Sequence, residues 1–537
     1  MAEFDYIIVG AGSAGCVLAN RLTEDPNATV LLLEAGPKDR SMWIKIPAGF
    51  SKLLNDPAYN WNFETEPEPN ANNRRIPIPR GRTLGGSSAI NGMLYVRGNP
   101  LDYNTWAQFG NQGWGYDSVL PYFRKAEHFA PGGDTSRGRG GPLNVDHMRE
   151  RAELLDAFID AAVDQGYRRN KDYNNGHQDG FGYFQVTQKN GERWSCARGY
   201  LDPIRHRRNL KIETDAQATK ILLQNKRATG VAYVKDGTTH EVRANREVIL
   251  AAGAVKSPHL LELSGIGNPD LLSSLGITVH HALPGVGENY RDHYAPRMNW
   301  RVKLPVTLNE RSRGLPLAKE VIKYYTQRRG ILTFTAGIAY GFVKTRPELE
   351  EPDIQFHFAH ASYGNAQKRD LETEPGMTLT VYQCRPESKG SIHASSADPM
   401  AAPAIRPNFL ADPIDQRVLV DGMKIGRAII NSQTLDKYRA YEMNPGASVQ
   451  TDDEWLHFAR SNGQTTYHVI GTCKMGRDPM AVVDDQLRVH GIVGLRVIDA
   501  SIMPTVPSGN TNAPVIMIAE KGADLVKAAT AAERRAA

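Results

Sequence analysis

Cysteine is scarce in this 537-residue chain: Cys16, Cys196, Cys384 and Cys473 lie far apart and form no CxxC pair, which argues against a disulfide framework and against a zinc site. Such usage fits a reducing compartment. No apolar stretch reaches the roughly 18 uninterrupted residues needed to cross a bilayer, so spanning is excluded, while peripheral contact through an exposed apolar patch stays open. Met1-Ala-Glu-Phe-Asp5 leads at once into an apolar strand and leaves no room for a charged n-region, an apolar h-region and a cleavage site. The expected location is the cytoplasm, with peripheral attachment to the inner membrane face left open. An excess of one charge is lacking too: 64 Lys and Arg face 59 Asp and Glu, and the basic residues read as scattered, so no nucleic acid partner is expected. Internal repeats and low-complexity tracts are not seen.

What the chain does have is an ordinary enzyme-like composition, 41% hydrophobic and 23% charged with a mean hydropathy of -0.45. Its length exceeds the roughly 250 to 300 residues at which single cores stop growing, so two domains are expected. Tyr6 to Val9 is an apolar run, a Gly-rich turn follows, Val17 to Leu22 reads as helix, and Val30 to Leu33 is a second apolar run. Glu247 to Ala252 and Leu495 to Ile498 have the same flavour and read as buried strands of the same parallel sheet. By contrast, about Asn299 to Ala447 offers short strand candidates, Ile354 to Phe358 and Met377 to Tyr382, between Pro-rich and charged turns. The expectation is α/β: a discontinuous Rossmann-like domain (residues 1–155, 195–298 and 455–537) plus an α+β substrate domain with an antiparallel sheet (156–194 and 299–454).

Between the first strand and first helix stands Gly10-Ala-Gly12-Ser13-Ala14-Gly15. The first glycine permits the tight turn, the second the approach of a pyrophosphate, and the third close helix–strand packing, with the phosphates at the helix N-terminus. Glu34, 19 residues after Gly15 and followed by Ala35, closes the second strand where a carboxylate can accept both ribose hydroxyls. The motif leaves FAD and NAD undecided; Glu34 disfavours NADP, whose 2'-phosphate it would repel.

Pro79-Arg-Gly-Arg82-Thr83-Leu84-Gly-Gly86-Ser87-Ser-Ala-Ile90-Asn91-Gly92 resembles the first signature of the glucose-methanol-choline (GMC) oxidoreductases, and Gly253-Ala-Val-Lys-Ser257-Pro258 through Ser264-Gly265-Ile-Gly267 resembles the second. Further similar stretches are Gly285 to His293, Tyr467-His468 to Gly476, and Val497 to Pro504, so the likeness runs in order from about residue 4 to about residue 530. It implies the GMC fold and bound FAD, resembling bacterial FAD-dependent alcohol dehydrogenases. Gly10, Gly12, Gly15 and Glu34 would meet pyrophosphate and ribose. Arg82, Thr83, Gly86, Ser87, Asn91 and Gly92 would lie near the pyrophosphate and isoalloxazine, Ala218 by the adenine, and Asp499 with Ala500 by the pyrophosphate and ring edge. Members that bond the flavin covalently carry a histidine where this chain has Ile90, so non-covalent FAD is expected.

Alcohol oxidation needs a group to take the hydroxyl proton while hydride leaves for flavin N5, and a neutral imidazole suits that task. Of the 15 histidines, His468 aligns with the family's active-site histidine, and Asn510, 42 residues on, occupies the partner position that holds His or Asn. The bland reading of Asn510 is a cap for the helix expected from Val515 to Leu525, a role open to Asn512, which is also an expected cofactor neighbour; Pro514 suits the first turn. The positive end of that helix could stabilise negative charge at flavin N1. His357 alternates with apolar residues as on a strand and is either a pocket residue or a satisfied strand histidine. Choline-type members place a carboxylate shortly upstream, but Thr335 to Phe342 contains none, which disfavours a quaternary ammonium. Cys473 reads as a small buried residue, and no metal is expected.

The implied activity is oxidation of a neutral, primary alcohol to the aldehyde, with a quinone, a carrier or O2 as electron acceptor. Alternatives with the same fold are an alcohol oxidase, a non-redox hydroxynitrile lyase, and a light-driven fatty-acid decarboxylase whose Cys and Arg pair cannot be placed here.

Overall fold

Thirteen strands gather in two large sheets, and both contribute to the wall of one long cavity. The computed structural model describes residues 2–365 and 370–536. β1 (Ala2–Val9) buries its apolar half, Tyr6 to Val9, and β2 (Val30–Leu33) is buried throughout, as strands covered on both faces must be. They pair in parallel, Tyr6 opposite Val30, with α1 (Ser13–Leu22) as the connection. Leu210–Glu213 adds in parallel outside β2, and the strand Thr238–Leu250 adds in parallel on the other side of β1, followed by Leu495–Val497. The long C-terminal helix Asn512–Ala536 packs on α1 and on the helix Tyr116–Ala126.

The segments read as parallel strands, 247–252 and 495–498, do pair in parallel, and the sheet also carries an antiparallel part outside that reading. Thr238–Leu250 is 13 residues long, and its first half pairs antiparallel with Arg227–Lys235, itself antiparallel to Ala216–Gln224. The apolar Val248 to Leu250 end lies in the core, whereas Thr238 to Glu241 is exposed. Two-residue turns with positive φ join the hairpins, Asn225-Lys226 (48° and 58°) and Asp236-Gly237 (50° and 73°), the twist that suits hairpin loops.

The six-stranded second sheet runs in the order Arg439–Asn444, Arg297–Val302, Gly376–Gln383, Ile354–Ala359, Ala339–Val343 and Gly180–Tyr183, antiparallel throughout. Helices Pro413–Ile430 and Glu153–Asp164 pack on it. Register then sets part of the cavity wall: Thr380 lies opposite both Arg297 and His357, so three adjacent strands present these side chains in one row.

Candidate active site

The cavity begins at the Gly-rich turn. Gly10 takes φ of +100°, and a Cβ on Gly15 would stand 1.9 Å from the Gly10 carbonyl oxygen, so only glycine lets α1 meet β1 there. Glu34 ties the turn to β2, its two carboxylate oxygens accepting from the N–H groups of Ala11 and Gly36 at 2.9 Å. Burial raises its pKa to about 7, backbone donors opposing the shift. The first-signature loop closes over the same turn: Gly85 N–H donates to the Ala11 carbonyl at 2.8 Å, and a Cβ on Gly86, at φ +51°, would sit 2.6 Å from Gly12 Cα.

Asp499 fixes the other wall. Its carboxylate accepts from Gly253 N–H at 2.8 Å and Ser257 Oγ at 2.6 Å, anchoring the helix Gly253–Leu263, and from Ser501 on its other oxygen. Asn512 accepts from Ser13 Oγ at 2.7 Å and so joins the two helix N-termini. The C-terminal helix starts at Asn512 rather than Val515, so Asn512 stands in its first turn instead of capping it.

At the far end His468 and Asn510 come together, Asn510 Nδ2 lying 3.0 Å from His468 Nε2. The tautomer follows from the neighbours. His293 Nε2 lies 2.8 Å from the Cys384 carbonyl, which only accepts, so that nitrogen carries the proton and Nδ1 holds a lone pair. His468 Nδ1 lies 2.9 Å from His293 Nδ1 and must donate to it, which leaves the lone pair of His468 on Nε2, facing Asn510 and the cavity. Burial first, then His293, His357 and the Arg80 guanidinium, hold the His468 pKa well below the ordinary histidine value, so the ring is neutral at physiological pH. Asp292 fixes the backbone by accepting from His468 N–H at 2.8 Å, and Tyr467 just before it adopts φ of 70°, a left-handed conformation uncommon for an aromatic residue. The Asn510 Oδ1 atom is buried with no hydrogen-bond partner in the protein.

Of the sequence-predicted positions, Gly10, Gly12, Ser13, Ala14, Glu34, Ala35, Gly86, Ser87, Asn91, Gly92, Ala218, Asp499, Ala500, Asn510, Asn512, His357 and His468 all line this cavity. Gly15, Arg82 and Thr83 are not in the wall: Gly15 packs on Gly10, Thr83 donates to the Pro37 carbonyl at 2.8 Å, and the Arg82 guanidinium covers Trp61 at 5.2 Å. His357 does face the cavity, with Nε2 2.9 Å from the Tyr382 hydroxyl. Sequence reading missed His293, Arg80, Trp61, Lys256 and Arg297. Lys256 was visible only as a cation inside the second signature; its ammonium lies 5.3 Å from the Trp61 ring, and burial lowers its pKa to about 8. Cys473 is a buried core residue, as read.

Residues 4–295 match the N-terminal part and residues 386–519 the C-terminal part of the family described as GMC oxidoreductase. The chain belongs to the GMC oxidoreductase family. It is 43% identical over 530 residues to an alcohol dehydrogenase (acceptor) of Pseudomonas putida, covering 97% of this chain and 95% of that protein. It is 46% identical to the oxygen-dependent choline dehydrogenase 1 of Chromohalobacter salexigens, covering 98% and 95%. Among solved structures, a pyridoxine 4-oxidase from Mesorbium loti superposes with a TM-score of 0.88 at 30% identity, covering 97% and 98%. An Aspergillus oryzae formate oxidase variant reaches 0.91 at 27%, covering 98% of each chain.

The family binds FAD, and the wall fits it. The N-terminus of α1 is open toward the cavity, with space beside Gly253 where a Cβ would meet nothing within 4 Å. Glu34 stands at the end of β2 for a ribose, and the cavity continues without a break to His468 and Asn510.

Proposed function

We propose that this enzyme oxidises neutral, primary alcohols to aldehydes with non-covalently bound FAD, His468 taking the hydroxyl proton on Nε2 and Asn510 orienting the alcohol oxygen. One observation carries the reading: the Nε2 lone pair of a buried, neutral His468 faces the cavity and is met there by the Asn510 Nδ2 donor at 3.0 Å, at the end of a cavity that begins in a dinucleotide cradle. Bound FAD would supply the hydride acceptor. The residues do the rest. His293 holds the tautomer of His468, and Asp292 with strained Tyr467 sets its position. Buried Ile90, in the cavity wall, offers no nucleophile for a flavin bond. In this reading residues 1–155, 195–298 and 455–537 hold FAD, and 156–194 with 299–454 shape the alcohol end.

Several relatives are named choline dehydrogenases, yet the charge of this cavity argues for a neutral substrate. Among the described residues its only acids are Glu34 and Asp499, both engaged with backbone N–H groups, while Arg80, Lys256 and Arg297 are cations in the same wall. A quaternary ammonium would be desolvated there without a counter-charge. Anaerobic mixing with short and long alkyl alcohols, benzyl alcohol and choline tests this. Flavin bleaching by a neutral alcohol and not by choline is expected; bleaching by choline alone would overturn the substrate class, and hydroxynitrile cleavage without bleaching by any alcohol would overturn the redox reading. Slow bleaching reversal on admitting air, against fast reversal by a quinone analogue, is expected of a dehydrogenase.

A further inference from the structure

The helix Gly314–Gln327 is unlike every other long helix of the fold. Of its 14 residues only Tyr324 is buried, although the sequence GLPLAKEVIKYYTQ is rich in apolar side chains. Leu315 is 79% exposed, Ile322 64% and Tyr325 52%, at spacings of seven and three that put them on one stripe, with Val321 alongside. Single exposed apolar residues are ordinary, but a continuous stripe of them on one helix is a surface made to be covered. A second exposed apolar pair, Met42 (52%) and Trp43 (39%), stands on the turn Met42–Lys45, which is linked to the helix through Pro47–Gly49 and Ile331–Thr333.

Charge decides what covers it. Residues 303–329 hold seven cations (Lys303, Arg311, Arg313, Lys319, Lys323, Arg328 and Arg329) against Glu310 and Glu320, a net of +5 that equals the excess of the whole chain. The basic residues themselves are spread along the chain, but their net excess sits in this segment, and the rest of the molecule balances to zero. Counting Glu150 and Glu192, which pair with Lys323, Arg329 and Arg328, still leaves seven cations against four acids. A second copy related by a two-fold axis through this face would set its cations against one another.

We propose that the helix Gly314–Gln327, with Met42 and Trp43, lies on an anionic lipid surface, apolar stripe in the acyl boundary and cations at the headgroups. The placement is apt for the reaction. Six residues past the turn at Gly330 the chain reaches Ala336 in the cavity wall, held by Thr335 Oγ1 donating to the Gly92 carbonyl, so the alcohol end of the cavity is tied to the lipid-facing helix. The binding itself does not depend on which alcohol is oxidised.

The test is co-sedimentation of the FAD-loaded enzyme with vesicles of phosphatidylcholine alone and of phosphatidylcholine with one-third phosphatidylglycerol, for wild type and for the variant Leu315→Ser/Ile322→Ser/Tyr325→Ser. Expected is pelleting with anionic vesicles at low salt, at least tenfold less with neutral vesicles or with the variant, and unchanged turnover of the variant with a soluble dye acceptor. Absence of pelleting with anionic vesicles, or equal pelleting by the folded, active variant, would overturn the proposal. So would wild type that dimerises in solution without pelleting while the variant stays monomeric, since the stripe would then be covered by a second copy.

Discussion

A proton acceptor at an alcohol needs a lone pair in a fixed direction, and here a row of three groups supplies it: the Cys384 carbonyl sets His293, His293 sets His468, and His468 presents Nε2 to the cavity. Replacing His468 by Asn should leave yellow, folded protein whose flavin is reduced by alcohol about 100- to 10,000-fold more slowly, the range typical for loss of a general base. Anaerobic stopped-flow reduction checks it. His293→Gln acts one step back. Because His293 is one of the neighbours that lower the His468 pKa, and because a base works only when unprotonated, the acid limb of the reduction rate should move to higher pH in the variant. In wild type no inflection is expected near 6.5; an inflection there would mean that His468 titrates like an exposed histidine. His468 and Asn510 were legible in the sequence because their loops resemble those of a family. His293 has no local sequence signal, since its contact with His468 spans 175 residues and only the fold brings the rings together.

At the scale of elements, the cradle is two glycine turns pressed face to face, and that closeness was half-legible. The spacing of Gly10, Gly12 and Gly15 announced the first turn, whereas the contact of Gly86 with Gly12 joins segments more than 70 residues apart. Gly86→Ala places a Cβ 2.6 Å from Gly12 Cα at a positive φ, and backbone on both sides cannot yield. The expected outcome is folded but colourless protein, read as loss of flavin absorbance with retained far-ultraviolet circular dichroism; full flavin content would contradict the account of the cradle. The buried parallel strands announced themselves as uninterrupted apolar runs. The antiparallel extension did not, because the exposed half of Thr238–Leu250 has no apolar face.

For the whole molecule, burial of titratable groups ties stability to pH. Burial lowers the pKa of His259, His357 and His360 to about 3 and of His293 to about 4, so in the unfolded chain, near 6.5, each binds a proton more readily than in the folded one. Their contribution is complete above pH 6.5 and is lost as pH falls toward 4. Glu34 and Asp292, raised to about 7 and 6, act in the opposite sense, as do Asp39, Glu68, Asp102, Asp421 and Asp499, which burial also raises. The histidine share of the thermal midpoint should fall between pH 6.5 and 4. His360 has neither ring nitrogen partnered, so His360→Leu should flatten that fall and add about 1 kcal/mol at neutral pH by removing an unsatisfied buried polar group. Differential scanning calorimetry of both proteins across that range decides it. The two-sheet organisation was legible from the change of strand style along the chain; the meeting of both sheets at one cavity was not, because Arg297, Thr380 and His357 become neighbours only through register.

The central claim is that a neutral His468 takes a proton from an alcohol while the flavin is reduced. Anaerobic reduction by one neutral primary alcohol, followed as a function of pH in wild type and His468→Asn, tests it most directly. The account predicts rapid bleaching in wild type with no inflection near pH 6.5, and bleaching slowed about 100-fold or more in the variant at every pH. Equal rates in the two proteins, or no bleaching of wild type by any neutral alcohol, would contradict it.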